Sequence, residues 1–143
     1  MNKLTQIVKP KKIFMGEKDF QQLYLVKKKL EKKYKTKVIP CKTIRDRNNV
    51  ALSSRNYLLK KPNLLIAAKI YEKLASIKKY IKNKKNITSF LNLQKKELKN
   101  NYKIKIDYLE LRNIKNLKIS STNKNSRLFI AYYLNNVRLI DNL

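Results

Sequence analysis

Between Lys18 and Lys33 the apolar residues fall at Phe20, Leu23, Tyr24, Val26 and Leu30, with lysines filling much of the rest. That spacing places one apolar face on a solvated cylinder and predicts a helix over about 18–33. Ahead of it, residues 7–15 (IVKPKKIFM) carry a proline and then a short apolar run that reads as a buried strand ended by Gly16. Strand, glycine turn and helix form the opening half of a βαβ unit. The stretch KVIPC at 37–41 supplies its parallel partner, with Pro40 near the end.

The pattern then changes. Asn48-Asn49 marks a turn, because asparagine tolerates the left-handed conformation usually left to glycine. A loop with Ser53, Ser54 and Arg55 follows. Residues 63–82 give the clearest helix, with Leu64, Ala67, Ala68, Tyr71, Leu74, Ala75 and Ile81 on one face. A second helix over about 88–100 is expected to start at Thr88 or Ser89 as N-cap. After it KIKIDYLELR, RLFIAYYL and VRLID read as strands. No repeat and no flexible linker interrupts the chain. The expected fold class is α/β: the end of a parallel-sheet nucleotide-binding domain over 1–46, then a small α+β domain over 47–143. A parallel sheet needs more strands than one βαβ unit supplies, so an unpaired edge and an uncovered apolar face are expected.

Composition narrows the chemistry. The chain of 143 residues carries 36 Lys and Arg against 9 Asp and Glu, a net charge of +27. The lysines are scattered through nearly every segment, as an AT-rich genome would impose, and arginine forks are few. Solvated lysine surface, and no nucleic-acid partner, is the reading preferred from this distribution. Cys41 is the sole cysteine and histidine is absent, which excludes an internal disulfide, an ordinary zinc site and any imidazole acid or base. Neither a membrane span nor a signal-peptide layout is present, so a cytoplasmic protein without a membrane partner is expected.

Two stretches carry candidate binding chemistry. In GEKDFQQL, Gly16 lies between strand and helix, where the backbone needs a positive φ or approaches a ligand closely. The helix start offers free N–H groups and partial positive charge, and Lys18 adds an ammonium suited to phosphate. Asp19 can cap the helix or accept a hydroxyl, Gln22 can donate and accept, and Glu17 complements the helix dipole. The same residues serve a plain helix start equally well. In ALSSRN, two hydroxyls beside the Arg55 guanidinium make a grip for phosphate oxygens. Taken alone, a solvated loop with Ser54 or Asn56 capping a following turn is the more economical account.

Together, in this order and spacing, GEKDFQQL and ALSSRN resemble pantothenate synthetases. KLTQIVKP at 3–10 and the closing VRLIDN are also similar to that family, and residues 83–126 only loosely so. The resemblance implies a Rossmann-like domain of the adenylyl-transfer type followed by a smaller domain that closes over the site. It implies ATP-dependent joining of pantoate to β-alanine through a pantoyl-adenylate, with Mg²⁺ accompanying the ATP. By matching positions it makes Gly16, Glu17, Lys18, Asp19, Ile44, Leu52, Ser53, Ser54 and Arg55 ATP contacts, Ile44 through its backbone, and Gln22 a pantoate contact. It admits a homodimer of the family type.

Two features depart from the family. Asn48-Asn49 stands where Asp-Gly is usual. The His-x-Gly-His motif of the family's opening segment has no counterpart, so no catalytic histidine comes from this chain. The chain thus resembles the C-terminal half of the enzyme, and a separate chain supplying the other half is the expected partner. Two alternatives stand beside that expectation: an inactive remnant, and a basic module for nucleic acid.

Overall fold

The computed structural model describes residues 1–143, which divide into two compact units, 1–43 and 44–143. The first unit begins with a short helix, α1 (Asn2–Val8), then β1 (Lys12–Gly16), α2 (Phe20–Lys33) and β2 (Lys37–Cys41). β1 and β2 pair in parallel, with Ile13 opposite Val38 and Gly16 opposite Cys41. α2 joins them and packs its buried Leu23 and Leu30 inward, while Glu31 Oε1 accepts from the Val38 N–H at 2.8 Å. The βαβ unit read from the sequence is therefore present.

Its opening differs from the expectation. Ile7 and Val8 close α1 rather than start a strand, and they are 79% and 60% exposed. Lys9 turns out of the helix in the left-handed region (φ 48°), and Pro10, having no N–H, cannot continue it. Nor is β1 a buried strand: its five residues alternate between exposed and half-buried, and Phe14 is 67% exposed. The cause is the size of the sheet. With two strands, the unit has two unpaired outer edges and a face that carries Phe14 and Ile39 without a second helix to cover it.

The second unit holds α3 (Lys61–Tyr80), α4 (Ile87–Tyr102) and an antiparallel sheet of β3 (Lys105–Asn113), β4 (Ser126–Leu134) and β5 (Val137–Asn142), in the order β3-β4-β5. Pro62 sits in the first turn of α3, where its missing N–H costs nothing. The buried residues of α3 are Ala67, Ala68, Ile70, Leu74 and Ile77. Ile70 and Ile77 were not on the expected face, and Ala75, which was, is exposed. The helix packs on both α4 and β4, so its buried stripe is broader than one face. The N-cap of α4 is Asn86, whose Oδ1 accepts from the Ser89 N–H at 3.0 Å, and neither Thr88 nor Ser89 takes that place. Lys73 and Glu97 tie the helices at 2.9 Å. Leu98, Ile106, Leu109, Leu128 and Ile130 complete the core with α3.

The turns are built almost without glycine. Asn135 and Asn136, both at positive φ, join β4 to β5 as a two-residue hairpin loop. Lys103 ends α4 at φ 50°, exposed, in the place where helices usually carry glycine. Lys103→Gly is expected to raise stability by about 0.5–1 kcal/mol, since a left-handed residue with a Cβ is strained. An upward shift of the urea midpoint would register it.

Candidate functional site

Gly16 is the last residue of β1 and leads into a 3-10 turn, Glu17–Asp19, from which α2 starts at Phe20. Its φ is −66°, an ordinary extended value, and a Cβ built on it would meet no atom of the chain within 4 Å. Neither a left-handed turn nor internal crowding calls for glycine here. Asp19 occupies the N-cap position of α2, yet its side chain makes no cap bond and remains exposed. Gln22 is exposed one turn on, whereas Glu17 and Lys18 are half-buried and engaged with neighbours. The segment thus presents a strand end, a helix start and a row of polar groups on one rim.

The second segment is a small hairpin mounted on the other unit. Asp46 N–H donates to Val50 O and Leu52 N–H to Ile44 O, each at 3.0 Å, while Arg45 and Ala51 form an isolated bridge between them. The turn runs from Asp46 to Asn49, with Asn49 at φ 63°, so asparagine makes the turn expected of it. Asp46 Oδ1 accepts from the N–H groups of Asn48 and Val50, both at 2.9 Å. Val50 and Ala51 are buried, and the Ile44 side chain is 72% exposed.

The chain leaves this hairpin into a 3-10 turn, Ser54–Leu58. Its cap is Ser53, whose Oγ accepts from the Arg55 N–H at 3.3 Å, rather than Ser54 or Asn56. Asn56 instead donates to Ala51 O at 3.2 Å, tying the turn back to the hairpin. Ser54 and Arg55 are exposed, and Arg55 Nη1 donates to Arg138 O of β5 at 3.2 Å. Leu52, Ser53, Ser54 and Arg55 are therefore gathered on one rim of the second unit, while Gly16–Gln22 lie together in the first.

Sequence reading missed the group that anchors the hairpin. Arg45 makes a bidentate pair with Asp141 of β5, at 2.7 and 2.8 Å, and its guanidinium lies 4.4 Å from the centroid of the Tyr71 ring of α3. The hydrogen bond to Asp141 raises the affinity of Arg45 for its proton, outweighing desolvation, which acts the other way. The only local hint is that Asp141 stands as the single acid of β5.

The sequence profile of the family described as pantoate-beta-alanine ligase matches this chain over residues 1–143. The chain belongs to that family. Among pantoate-beta-alanine ligase relatives, the pantothenate synthetase of Flavobacterium psychrophilum is 38% identical over 149 residues, covering 100% of this chain and 52% of its own length. That of Francisella tularensis subsp. mediasiatica is 39% identical over 141 residues, covering 98% and 46%. Among crystal structures, the pantothenate synthetase of Thermus thermophilus superposes with a TM-score of 0.88 at 27% identity, over 99% of this chain and 52% of that one. The Francisella tularensis ligase, complexed with beta-gamma ATP and beta-alanine, gives 0.73 at 34% identity, over 99% and 46%. The chain spans about half the length of the relatives it matches. No helix in it is long and apolar enough to cross a membrane.

Proposed function

We propose that this chain provides the nucleotide-gripping half of an ATP-dependent pantoate–β-alanine ligase. The observation that carries the reading is the family match along all 143 residues, which takes in both candidate segments. In the proposed reaction a pantoate carboxylate oxygen attacks the α-phosphorus of ATP and pyrophosphate leaves. The amine of β-alanine then attacks the acyl carbon and AMP leaves. In this reading residues 1–43 form the end of the nucleotide-binding domain and 44–143, which take in the whole hairpin rather than starting at 47, the domain that closes over it.

Each candidate residue has a task in that reading. Gly16 gives the nucleotide room against the backbone, which agrees with a glycine that no conformational need and no atom of this chain requires. Glu17, Lys18 and Asp19 face the ATP from the helix start, and Gln22 hydrogen-bonds pantoate. Ile44 meets adenine through its backbone, and Leu52, Ser53, Ser54 and Arg55 hold the phosphates, where positive charge offsets what builds up at the α-phosphate. No three His, Cys, Asp or Glu side chains come together in this chain to hold a metal. In the proposed reaction Mg²⁺ would accompany the triphosphate as part of the substrate.

The relatives' remaining length is the proposed source of the other wall of both pockets, and the face carrying Phe14 and Ile39 is where it would pack. The test is pantoate-dependent exchange of labelled pyrophosphate into ATP, with the chain alone and with the complementing N-terminal half added. Exchange in the mixture supports the ligase. Silence in both, from a chain that is folded by circular dichroism, overturns it and leaves a remnant.

A further inference from the structure

We infer that Arg45 is a positioning residue, fixing the nucleotide-contacting hairpin to the antiparallel sheet through Asp141. The inference rests on the proposed role of Ile44 and Leu52–Arg55 as nucleotide contacts. Arg45 lies directly after the first of these and is bridged to Ala51, which directly precedes the others.

The bonds within the hairpin shape its turn but do not tie it to the sheet. Two of its residues, Val50 and Ala51, are buried, and its tip is exposed at Arg47, Asn48 and Asn49. Arg45 supplies the mount from three directions. Its fork reaches both Asp141 oxygens, Nη1 also donates to Asn49 O at 3.0 Å, and the guanidinium lies over the Tyr71 ring. The Arg45 and Asp141 side chains are 16% and 9% exposed. Asp141 is itself fixed. It pairs with Ile130 of the central strand β4, and its Oδ1 accepts from the Asn142 N–H at 2.7 Å. One rigid path thus runs from the sheet, through a carboxylate and a guanidinium, to the carbonyl of the left-handed turn residue Asn49.

Energetics favour orientation over stability as the purpose. A desolvated ion pair seldom holds a fold together better than apolar residues of the same volume would. What it does supply is direction, since a planar fork accepts one geometry and a packed methyl group accepts several. Arg55, bonded to Arg138 O on the same β5, gives the loop a second attachment to that strand. Both ends of the phosphate-gripping segment are thereby referred to one strand.

The conservative variant Arg45→Lys separates positioning from charge, because lysine keeps the cation and loses fork and plane. Amide exchange is measured on the chain as it stands. The Asp46, Asn49 and Leu52 amides, which close the hairpin, are expected to exchange on the order of tenfold faster or more, with the β4–β5 ladder unchanged. In the pyrophosphate-exchange assay of the completed ligase, KM for ATP is expected to rise about tenfold while KM for pantoate holds. Tyr71→Leu, which leaves the ion pair intact, should move both readouts in the same direction by less, and it serves where Arg45→Lys does not fold. Hairpin amides that keep their rates, or that quicken only in step with the ladder, overturn the inference. So does an unchanged KM for ATP. If the parent ligase shows no exchange at all, the ligase reading falls, and the amide rates still decide what Arg45 does.

Discussion

Arg55→Ala is expected to slow pantoate-dependent pyrophosphate exchange in the completed ligase by about 10²–10³-fold, the usual effect of removing one preorganised charge partner from a transition state. The fold should hardly notice. Arg55 is exposed, and its guanidinium is held to the chain by the 3.2 Å contact to Arg138 O. Exposed substitutions of this kind change stability by about 0.5 kcal/mol or less. The loss should appear mainly in kcat, because charge on the α-phosphate grows as the carboxylate attacks, and ground-state ATP already carries its phosphates. Arg55→Lys should fall between, retaining the cation without the fork. If Lys18 has the ATP-binding role proposed for it, Lys18→Ala should give a loss of similar order, about 10²-fold. Unchanged exchange in Arg55→Ala would remove the Ser53–Arg55 loop from the phosphates altogether.

The largest effect on folding is expected from Ile70→Ala, which should cost about 2–5 kcal/mol, as large-to-small changes at fully buried sites do. Ile70 is 0% exposed and belongs to the cluster that α3 shares with α4 and the sheet. Leu74 and Ile77, next on the same helix, are 2% and 1% exposed, so rigid neighbours on several sides limit collapse into the void. For a unit of about 100 residues this corresponds to a fall in Tm of roughly 10–20 °C by calorimetry. Ala75→Ser on the same helix is the control, expected to shift stability by less than about 0.5 kcal/mol, because Ala75 is exposed. Equal losses from the two would place the core elsewhere than around α3.

That pair of variants also marks where sequence periodicity stops being informative. One apolar face was readable in α3, but a helix wedged between a second helix and a sheet buries more than one face, and Ile70 and Ile77 fall on the extra one. β2 was legible to the residue and β3–β5 nearly so, since short apolar or alternating runs ended by polar and turn residues bound them sharply. α1 was hidden because its seven residues lack a side-chain cap and end in the strand-like pair Ile7-Val8. The cap of α4 was displaced by two or three residues because Asn86, Thr88 and Ser89 are all competent, and the nearest fit to the first turn decides. In the candidate site, local motifs pointed to the loops, whereas the Arg45–Asp141 pair joins residues 96 apart and leaves only the lone acid of β5 as a local sign.

The two unpaired edges of the small parallel sheet bear on how this chain behaves in a tube. Bare strand edges are templates for further strands, and lysines at the head of each strand, Lys12 and Lys37, guard these ones. Their protection is electrostatic, as is the mutual repulsion of chains carrying +27 each. Such repulsion reaches about 30 Å at 0.01 M salt and about 3 Å at 1 M. Adding salt therefore removes the barrier just where hydrogen bonds and the exposed Phe14 would begin to act. The chain is expected to scatter light as single particles in dilute buffer and to cluster as sodium chloride rises, with Lys12→Glu and Lys37→Glu together shifting the onset to lower salt. Ionic strength thereby becomes a control on its colloidal state.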